Sequence, residues 1–192
     1  MRKIVIAALV TIFLAPAAYA AGEHEGPIRD LVNSQIKGWM ANPAIVAAVK
    51  AQNGKHAGLT QADIDALDKK WRAETGASAK PMIAELLSRP ASKKLIDYKT
   101  GGEGLFTEIF AMDNKGLNVA QSDATSDYWQ GDEAKWKKTF LAGSNVTFID
   151  EVEFDESTQT YQAQVSLSIT DPDGGAVIGA ITVGINVDLL SN

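Results

Sequence analysis

The chain has 192 residues, a net charge of −6 and no cysteine. Disulfides, thiol catalysis and cysteine metal sites are therefore excluded. An acidic chain is a poor partner for nucleic acid or for an anionic membrane surface, so we expect neither. The length suits a single domain that can bury a sizeable core.

The first twenty residues have the pattern of a secretory signal peptide. Two basic residues precede an apolar run at 4–14, Pro16 breaks that run, and Ala18-Tyr19-Ala20 provides the small residues that signal peptidase needs. We predict cleavage after residue 20 and export to the periplasm. An uncleaved anchor is the alternative, because the apolar stretch with its alanines approaches the length of a bilayer span.

Residues 21–100 are predicted to form a helical segment of the same domain. Apolar residues recur at helical spacing after Pro27 and predict the first helix. Asn42-Pro43 is a cap followed by proline, so the helix is expected to restart there. Thr60 and Asp63 resemble a capping box that opens the next helix. Two shorter helices are predicted at 79–88 and 91–98.

The period changes to two after the Gly101–Gly104 breaker, and residues 101–192 are predicted to form the sheet. Turn sequences separate five predicted strands, at 105–112, 117–121, 146–154, 159–170 and 176–188. A short helix near 132–141 interrupts them. Helices followed by antiparallel strands indicate an α+β fold, with a pocket between the sheet and the segment after the second strand.

Residues 122–136, "SDATSDYWQGDEAKW", concentrate four carboxylates with two tryptophans and a tyrosine. The spacing of the acids does not fit an EF-hand loop. The two histidines, His24 and His56, lie in polar stretches and are expected to be solvent-exposed rather than zinc ligands. We therefore predict no metal, no cofactor and no catalytic residue.

Two stretches resemble a known family. The hairpin "LFTEIFAMDNKGLNVAQSD" is similar to the opening strands of the PAS-like extracellular sensor domains called Cache, and "YQAQVSLSITDPDGGAVIGAITVGINVDLL" is similar to their last two strands. The resemblance implies a PAS-like five-stranded sheet that binds a small molecule without transforming it and signals through a membrane receptor or kinase. With no signalling module after Asp188, the chain resembles a free-standing, single-domain form.

The chain departs from the amino-acid-binding members of that family. Those members grip the ligand carboxylate with an Arg two residues before a Trp, where this sequence has Asp127 and Trp129. They hold the ligand amine with an aspartate in the last strand, where this sequence has Gly184. The departures point away from a carboxylate ligand.

We predict that the acidic and aromatic stretch forms a pocket wall that prefers a cation, since aromatic faces beside a carboxylate attract amines. The predicted ligand-binding residues are Asp123, Asp127, Tyr128, Trp129, Asp132 and Trp136. The argument assumes that these carboxylates lack a partner cation, and Lys135 is the residue that could supply one.

Three alternatives stay open. The tryptophans could fill the gap below the sheet, which would make the chain a structural or interaction protein with a filled pocket. Asp127 and Asp132 could serve a small periplasmic hydrolase. The apolar residues of the first helix could mediate a homodimer, or they could pack wholly within their own domain.

Overall fold

The computed structural model describes residues 22–156 and 158–190, so the predicted signal peptide at 1–20 lies outside the described residues. The helices are α1 (Glu25–Leu31), α2 (Lys37–Met40), α3 (Pro43–His56), α4 (Gln61–Thr75), α5 (Pro81–Ser88), α6 (Pro90–Gly101) and α7 (Ala134–Lys137). The strands are β1 (Phe106–Met112), β2 (Asn118–Gln121), β3 (Thr147–Ile149), β4 (Glu153–Asp155), β5 (Thr160–Thr170) and β6 (Val177–Asn186).

The predicted starts of α3 and α4 are confirmed. A π-helical turn at Val32–Ile36 joins α1 to α2, and the Asn42 side chain then accepts a hydrogen bond from the Ala44 amide at 2.9 Å to open α3. At the start of α4, the side chains of Thr60 and Asp63 each accept a hydrogen bond from the other residue's amide.

The sheet is antiparallel, with the order β2-β1-β6-β5-β3, and β4 also pairs with β5. The predicted strand at 146–154 is therefore two strands. Ile149 pairs with Val165 and Glu153 pairs with Gln162. The segment that joins β3 to β4 therefore contains one residue more than the part of β5 that faces it. The extra residue is left unpaired and breaks the strand, as in a β-bulge.

One face of the sheet forms the main core. Alternate residues of the three central strands point to this apolar face, where α1, α3 and α6 cover them: Ile109, Ala111, Ala163, Val165, Leu167, Ile169, Ile181, Val183 and Ile185. On the first helix, Ile28, Val32 and Ile36 are buried against these strands. The core thus contains residues from both the helical segment and the sheet.

The turn between β1 and β2 is held by a buried carboxylate. Asp113 accepts hydrogen bonds from the backbone amides of Lys115 and Leu117 at 2.8 and 2.9 Å. His56 Nδ1 lies 2.9 Å from Asp113 Oδ2, and Gln52 Nε2 donates to the same oxygen at 3.0 Å. His56 is only 6% exposed, so the expectation that it faces solvent is wrong. Its place at the end of α3 brings it over the turn.

Candidate ligand site

The second face of the sheet is lined by polar and aromatic side chains. Strand register places Phe110, Thr182 and Ser166 side by side on β1, β6 and β5, and Phe148 of β3 continues the row. The hydroxyl groups of Ser166 and Thr182 lie 2.9 Å apart, and both residues are fully buried. We call this surface the polar face and define it by Glu108, Phe110, Gln164, Ser166, Ser168 and Thr182.

Glu108 and Gln164 meet across a glycine. Both residues pair with Gly184 on β6, and Gln164 Nε2 donates to Glu108 Oε1 at 2.8 Å. A Cβ atom on Gly184 would lie 2.2 Å from Thr107 Oγ1 and 2.9 Å from Glu108 Cγ. Glycine at this position therefore leaves room for the carboxylate to stand on the polar face.

The Glu108 carboxylate lies in an unfavourable place for a charge. Its partial burial raises the pKa of the carboxyl group above its usual range, and the negative charges of Asp155 and Asp123 raise it further. Lys135 and the Gln164 hydrogen bond act in the opposite direction. Among the ion pairs of the described residues, none within 4.0 Å includes Glu108. The site thus has a carboxylate without a close cation.

The segment between β2 and β3 covers part of the polar face. Trp136 packs on Phe110 and Met112, and its ring stacks on Phe140 with 4.9 Å between centroids. Trp136 Nε1 donates to the Asp113 carbonyl oxygen at 3.1 Å, which fixes the ring above the β1–β2 turn. The helix predicted near 132–141 consists of α7 followed by a 3₁₀ turn at Phe140–Ala142.

Lys135 projects from α7 over the same face. Its ammonium lies 5.5 Å from the centroid of the Phe110 ring and 2.9 Å from a carboxylate oxygen of Glu133. The Lys135 side chain is only 15% exposed. Lys135 therefore neutralises an acid of its own segment.

Three of the six predicted ligand-binding residues lie on the other side of this segment, towards α4. The buried Tyr128 ring stacks on Trp71, with 5.4 Å between centroids. Trp129 Nε1 donates to the Lys115 carbonyl oxygen at 2.8 Å. Asp127 accepts a hydrogen bond from Arg72 NH2 at 3.0 Å, so the expectation of a carboxylate without a cation is wrong at this position.

The remaining predicted residues are divided between surface and sheet. Asp123 pairs with Lys99 at 2.7 Å, close enough to Glu108 to influence its pKa. Asp132 is exposed at the start of α7, and Trp136 covers the sheet as described above. The structure therefore brings Trp136 to the polar face and does not gather the six residues around one cavity. Their role in binding stays a prediction.

The sequence-based prediction missed the residues on the strands themselves. β1 contains a glutamate among mostly apolar residues, and polar residues alternate with apolar ones along β5. Alternation of this kind is typical of a strand with one polar face. Gln164, Ser166 and Ser168 follow this period-two pattern. This pattern could have identified the polar residues of β5. The strand register is needed to show that Glu108 of β1 lies on the same face.

A second concavity lies at the far edge of the sheet. Two adjoining grooves of about 340 and 490 Å³ share Ala41 and Pro172, between the α2–α3 junction and the β5–β6 turn. Lys37 and Lys50 border them, and Lys50 is already paired with Asp171 at 2.9 Å.

Within residues 22–156 and 158–190, His, Asp and Glu side chains do not form a group of three that could hold a metal ion. In the same part of the chain, no helix combines the length and the hydropathy needed to cross a bilayer.

The fold is similar to those of solved structures, whereas the sequence comparisons found no match. No family model matches the sequence, and no curated protein matches it. The extracellular domain assigned to the histidine kinase vpHK1S-Z8 has a TM-score of 0.50 at 10% identity, over 86% of this chain and 54% of that domain. The ligand-binding domain of the Campylobacter jejuni chemoreceptor Tlp3, in complex with L-norvaline, has a TM-score of 0.43 at 14% identity, over 84% and 62%.

A third relative is the ligand-binding domain of the Pseudomonas aeruginosa amino acid chemoreceptor PctC, in complex with GABA. Its TM-score is 0.38 at 18% identity, over 86% of this chain and 61% of that domain. The chain thus spans between one half and two thirds of the length of these domains. Its fold resembles that of the extracellular kinase domain, and the PAS-like α+β architecture predicted from the sequence, helices followed by an antiparallel sheet, is confirmed.

Proposed function

We propose that this chain is a sensor module that binds a small molecule on the polar face of its sheet and reports the occupancy of that site to a membrane receptor or kinase. The observation that carries the proposal is the strand register, which places Glu108, Phe110, Gln164 and Thr182 on one face of the sheet. Hydroxyl, amide and carboxylate groups beside aromatic rings are typical of small-molecule sites.

The predicted preference for a cation fits Glu108 better than it fits Asp127. Asp127 already has Arg72 at 3.0 Å, whereas the hydrogen bond that Glu108 accepts within the described part of the chain comes from a neutral amide. A partly buried carboxylate without a counter-ion favours a ligand that brings one. We therefore move the proposed cation contact from the β2–β3 segment to β1.

The site is proposed to bind its ligand without chemistry. The hydrolase alternative would need a free carboxylate at Asp127, and the ion pair with Arg72 does not favour one. The stronger alternative is a structural or interaction protein in which Trp136 and Phe140 fill the space above the sheet. Export through a cleaved signal peptide remains part of the proposal, and N-terminal sequencing of the secreted protein tests it.

Thermal melting against a panel of amines, carboxylates and sugars tests ligand binding. A ligand at a hundred times its dissociation constant stabilises the folded state by about 2.7 kcal/mol, which raises Tm by about 5 to 10 °C for a domain of this size. Thr182→Val should reduce the shift, because it removes a hydroxyl group from the floor of the site. Thr75→Val on the distant α4 is the control and should leave the shift unchanged. A panel without any shift favours the filled face.

A homodimer through the N-terminal helix is a further proposal. Ile28, Val32 and Ile36 are used within the domain's own core, so the contact would have to involve other residues. A groove of about 420 Å³ runs between α1 and the C-terminal Leu189 and Leu190, and Leu189 is 51% exposed. Sedimentation velocity of the protein and of Leu189→Glu tests the dimer. Identical monomeric behaviour at every concentration would exclude it.

A further inference from the structure

The position of Lys135 suggests what happens when the site fills. Its ammonium lies over the face of Phe110 at 5.5 Å from the ring centroid, a distance at which cations are attracted to aromatic rings. Phe110 and Glu108 are two residues apart on β1, so both side chains stand on the polar face. A cation in this place would be attracted both by the ring and by the Glu108 carboxylate.

We propose that the Lys135 ammonium occupies the place of the ligand's amine, so that a cationic ligand binds by displacing this lysine from Phe110. The inference rests on the proposed function, and it adds the ligand class and an internal competitor. Lys135 can leave without losing its charge partner, because Glu133 belongs to the same segment and already lies 2.9 Å away.

The surroundings allow the side chain to move while its helix stays. The neighbouring Trp136 is buried and is tied to Asp113, and Thr139 Oγ1 donates to the Lys135 carbonyl oxygen. These contacts hold the backbone of α7 in place. The displaced lysine would change the charge on the outer surface of the β2–β3 segment, where a partner protein could detect it.

The charged groups around the site also favour an amine over an anion. Asp123 and Asp155 both act on Glu108 from neighbouring elements, and Lys135 acts from α7. Lys99 balances Asp123 and Glu133 balances Lys135, and no cation of residues 22–156 and 158–190 forms an ion pair with Glu108 within 4.0 Å. An incoming ammonium group completes this balance, whereas an incoming carboxylate would be repelled by the Glu108 carboxylate.

Calorimetric titration separates the possibilities. The probes are n-butylamine, putrescine and choline, with butan-1-ol and 3,3-dimethylbutan-1-ol as neutral counterparts and butyrate as the anionic one. Lys135→Gln removes the competing charge and should tighten the binding of at least one amine tenfold or more without tightening that of its neutral counterpart. Glu108→Gln should weaken the same amine by tenfold or more.

Lys137→Gln is the matched control, because Lys137 lies on the same short helix but is exposed. It should leave every affinity within about twofold. Circular dichroism checks that each variant is folded.

The alternative outcomes separate the inference from the proposed function. Amine affinity that is unchanged or weakened in Lys135→Gln overturns the inference. Butyrate binding that is lost in Lys135→Gln also overturns it, but it would leave a ligand site on the polar face. If none of the three amines binds Lys135→Gln at millimolar concentration, the inference fails as well, and the wider melting panel then decides on the proposed function by itself.

Discussion

His56 Nδ1 and Asp113 Oδ2 lie 2.9 Å apart, and both side chains are buried between α3 and the β1–β2 turn. The pair joins the helical layer to the strand that carries Glu108 and Phe110. The same carboxylate accepts two backbone hydrogen bonds within the turn, so one side chain fixes both the shape of the turn and its place against the helix.

Removing this carboxylate should destabilise the fold strongly. We expect Asp113→Ala to lower the free energy of unfolding by about 3 to 5 kcal/mol, because it leaves buried donors without an acceptor. Asp173→Ala is the control: its side chain is 86% exposed and pairs with Lys50 at 3.3 Å, so its loss should cost less than about 1 kcal/mol. Urea denaturation at pH 7 measures both. Equal losses of unfolding free energy in the two variants would show that the buried Asp113 cluster stabilises the fold no more than a surface ion pair does.

Two glycines should respond in opposite directions to alanine. A Cβ atom at Gly179 would lie 2.2 Å from the Met112 carbonyl oxygen, so β6 and β1 would have to separate. We expect Gly179→Ala to cost about 1 to 3 kcal/mol. Gly54 lies inside α3 with open space around it, and Gly54→Ala should stabilise by about 0.5 to 1 kcal/mol. Thermal melting compares the two, and a stabilised Gly179→Ala would contradict the close packing.

The raised pKa of Glu108 makes stability depend on pH. Burial raises this pKa above the ordinary value of 4.5, so the folded state holds the proton more tightly than the unfolded chain does. The contribution of Glu108 to stability is therefore fully present below pH 4.5 and is lost as the pH rises through the folded-state pKa. Glu108→Gln should remove this fall. Urea denaturation from pH 4 to 8 should show that the free energy of unfolding of the variant increases relative to that of the wild type as the pH rises.

Asp171 provides a control of opposite sign. The hydrogen bond from Lys50 holds the pKa of Asp171 below its ordinary value of 3.8. Its contribution to stability is therefore present above pH 3.8 and is lost as the pH falls through the folded-state pKa. Asp171→Asn should thus be less stable than the wild type at pH 7 and approach it in acid. If the stabilities of Glu108→Gln and Asp171→Asn relative to the wild type change in the same direction with pH, the raised pKa assigned to Glu108 is wrong.

The original prediction for Asp127 and Trp129 needs its own measurement. Since Asp127 is paired with Arg72 and Trp129 is bonded to the Lys115 carbonyl oxygen, we expect both residues to support the segment rather than to contact the ligand. Asp127→Asn and Trp129→Ala should lower Tm and leave the amine affinity within about threefold. Calorimetry of the two variants beside Glu108→Gln checks this. A tenfold loss of affinity in Asp127→Asn would restore the sequence-based site.

Local signals in the sequence predicted most of the elements. The cap at Asn42, the capping box at Thr60 and the turn after Met112 are short-range hydrogen-bond patterns, and all are confirmed. The break in the predicted third strand was missed, because an extra residue becomes visible only once the partner strand fixes the register. His56 was misplaced for a related reason: its partner is 57 residues away.

The amino-acid sequence alone determined the class of this protein: helices before strands, an antiparallel sheet and a resemblance to PAS-like sensors. These features depend on period, caps and turns, which involve residues close together in the chain. The tertiary structure decided which of the carboxylates form an ion pair. Arg72 reaches Asp127 across 55 residues, while the hydrogen-bond partner of Glu108 among the described residues is the neutral amide of Gln164, 56 residues on. Contacts of this range depend on how helix and sheet pack, so the candidate site moved from the acidic stretch to β1.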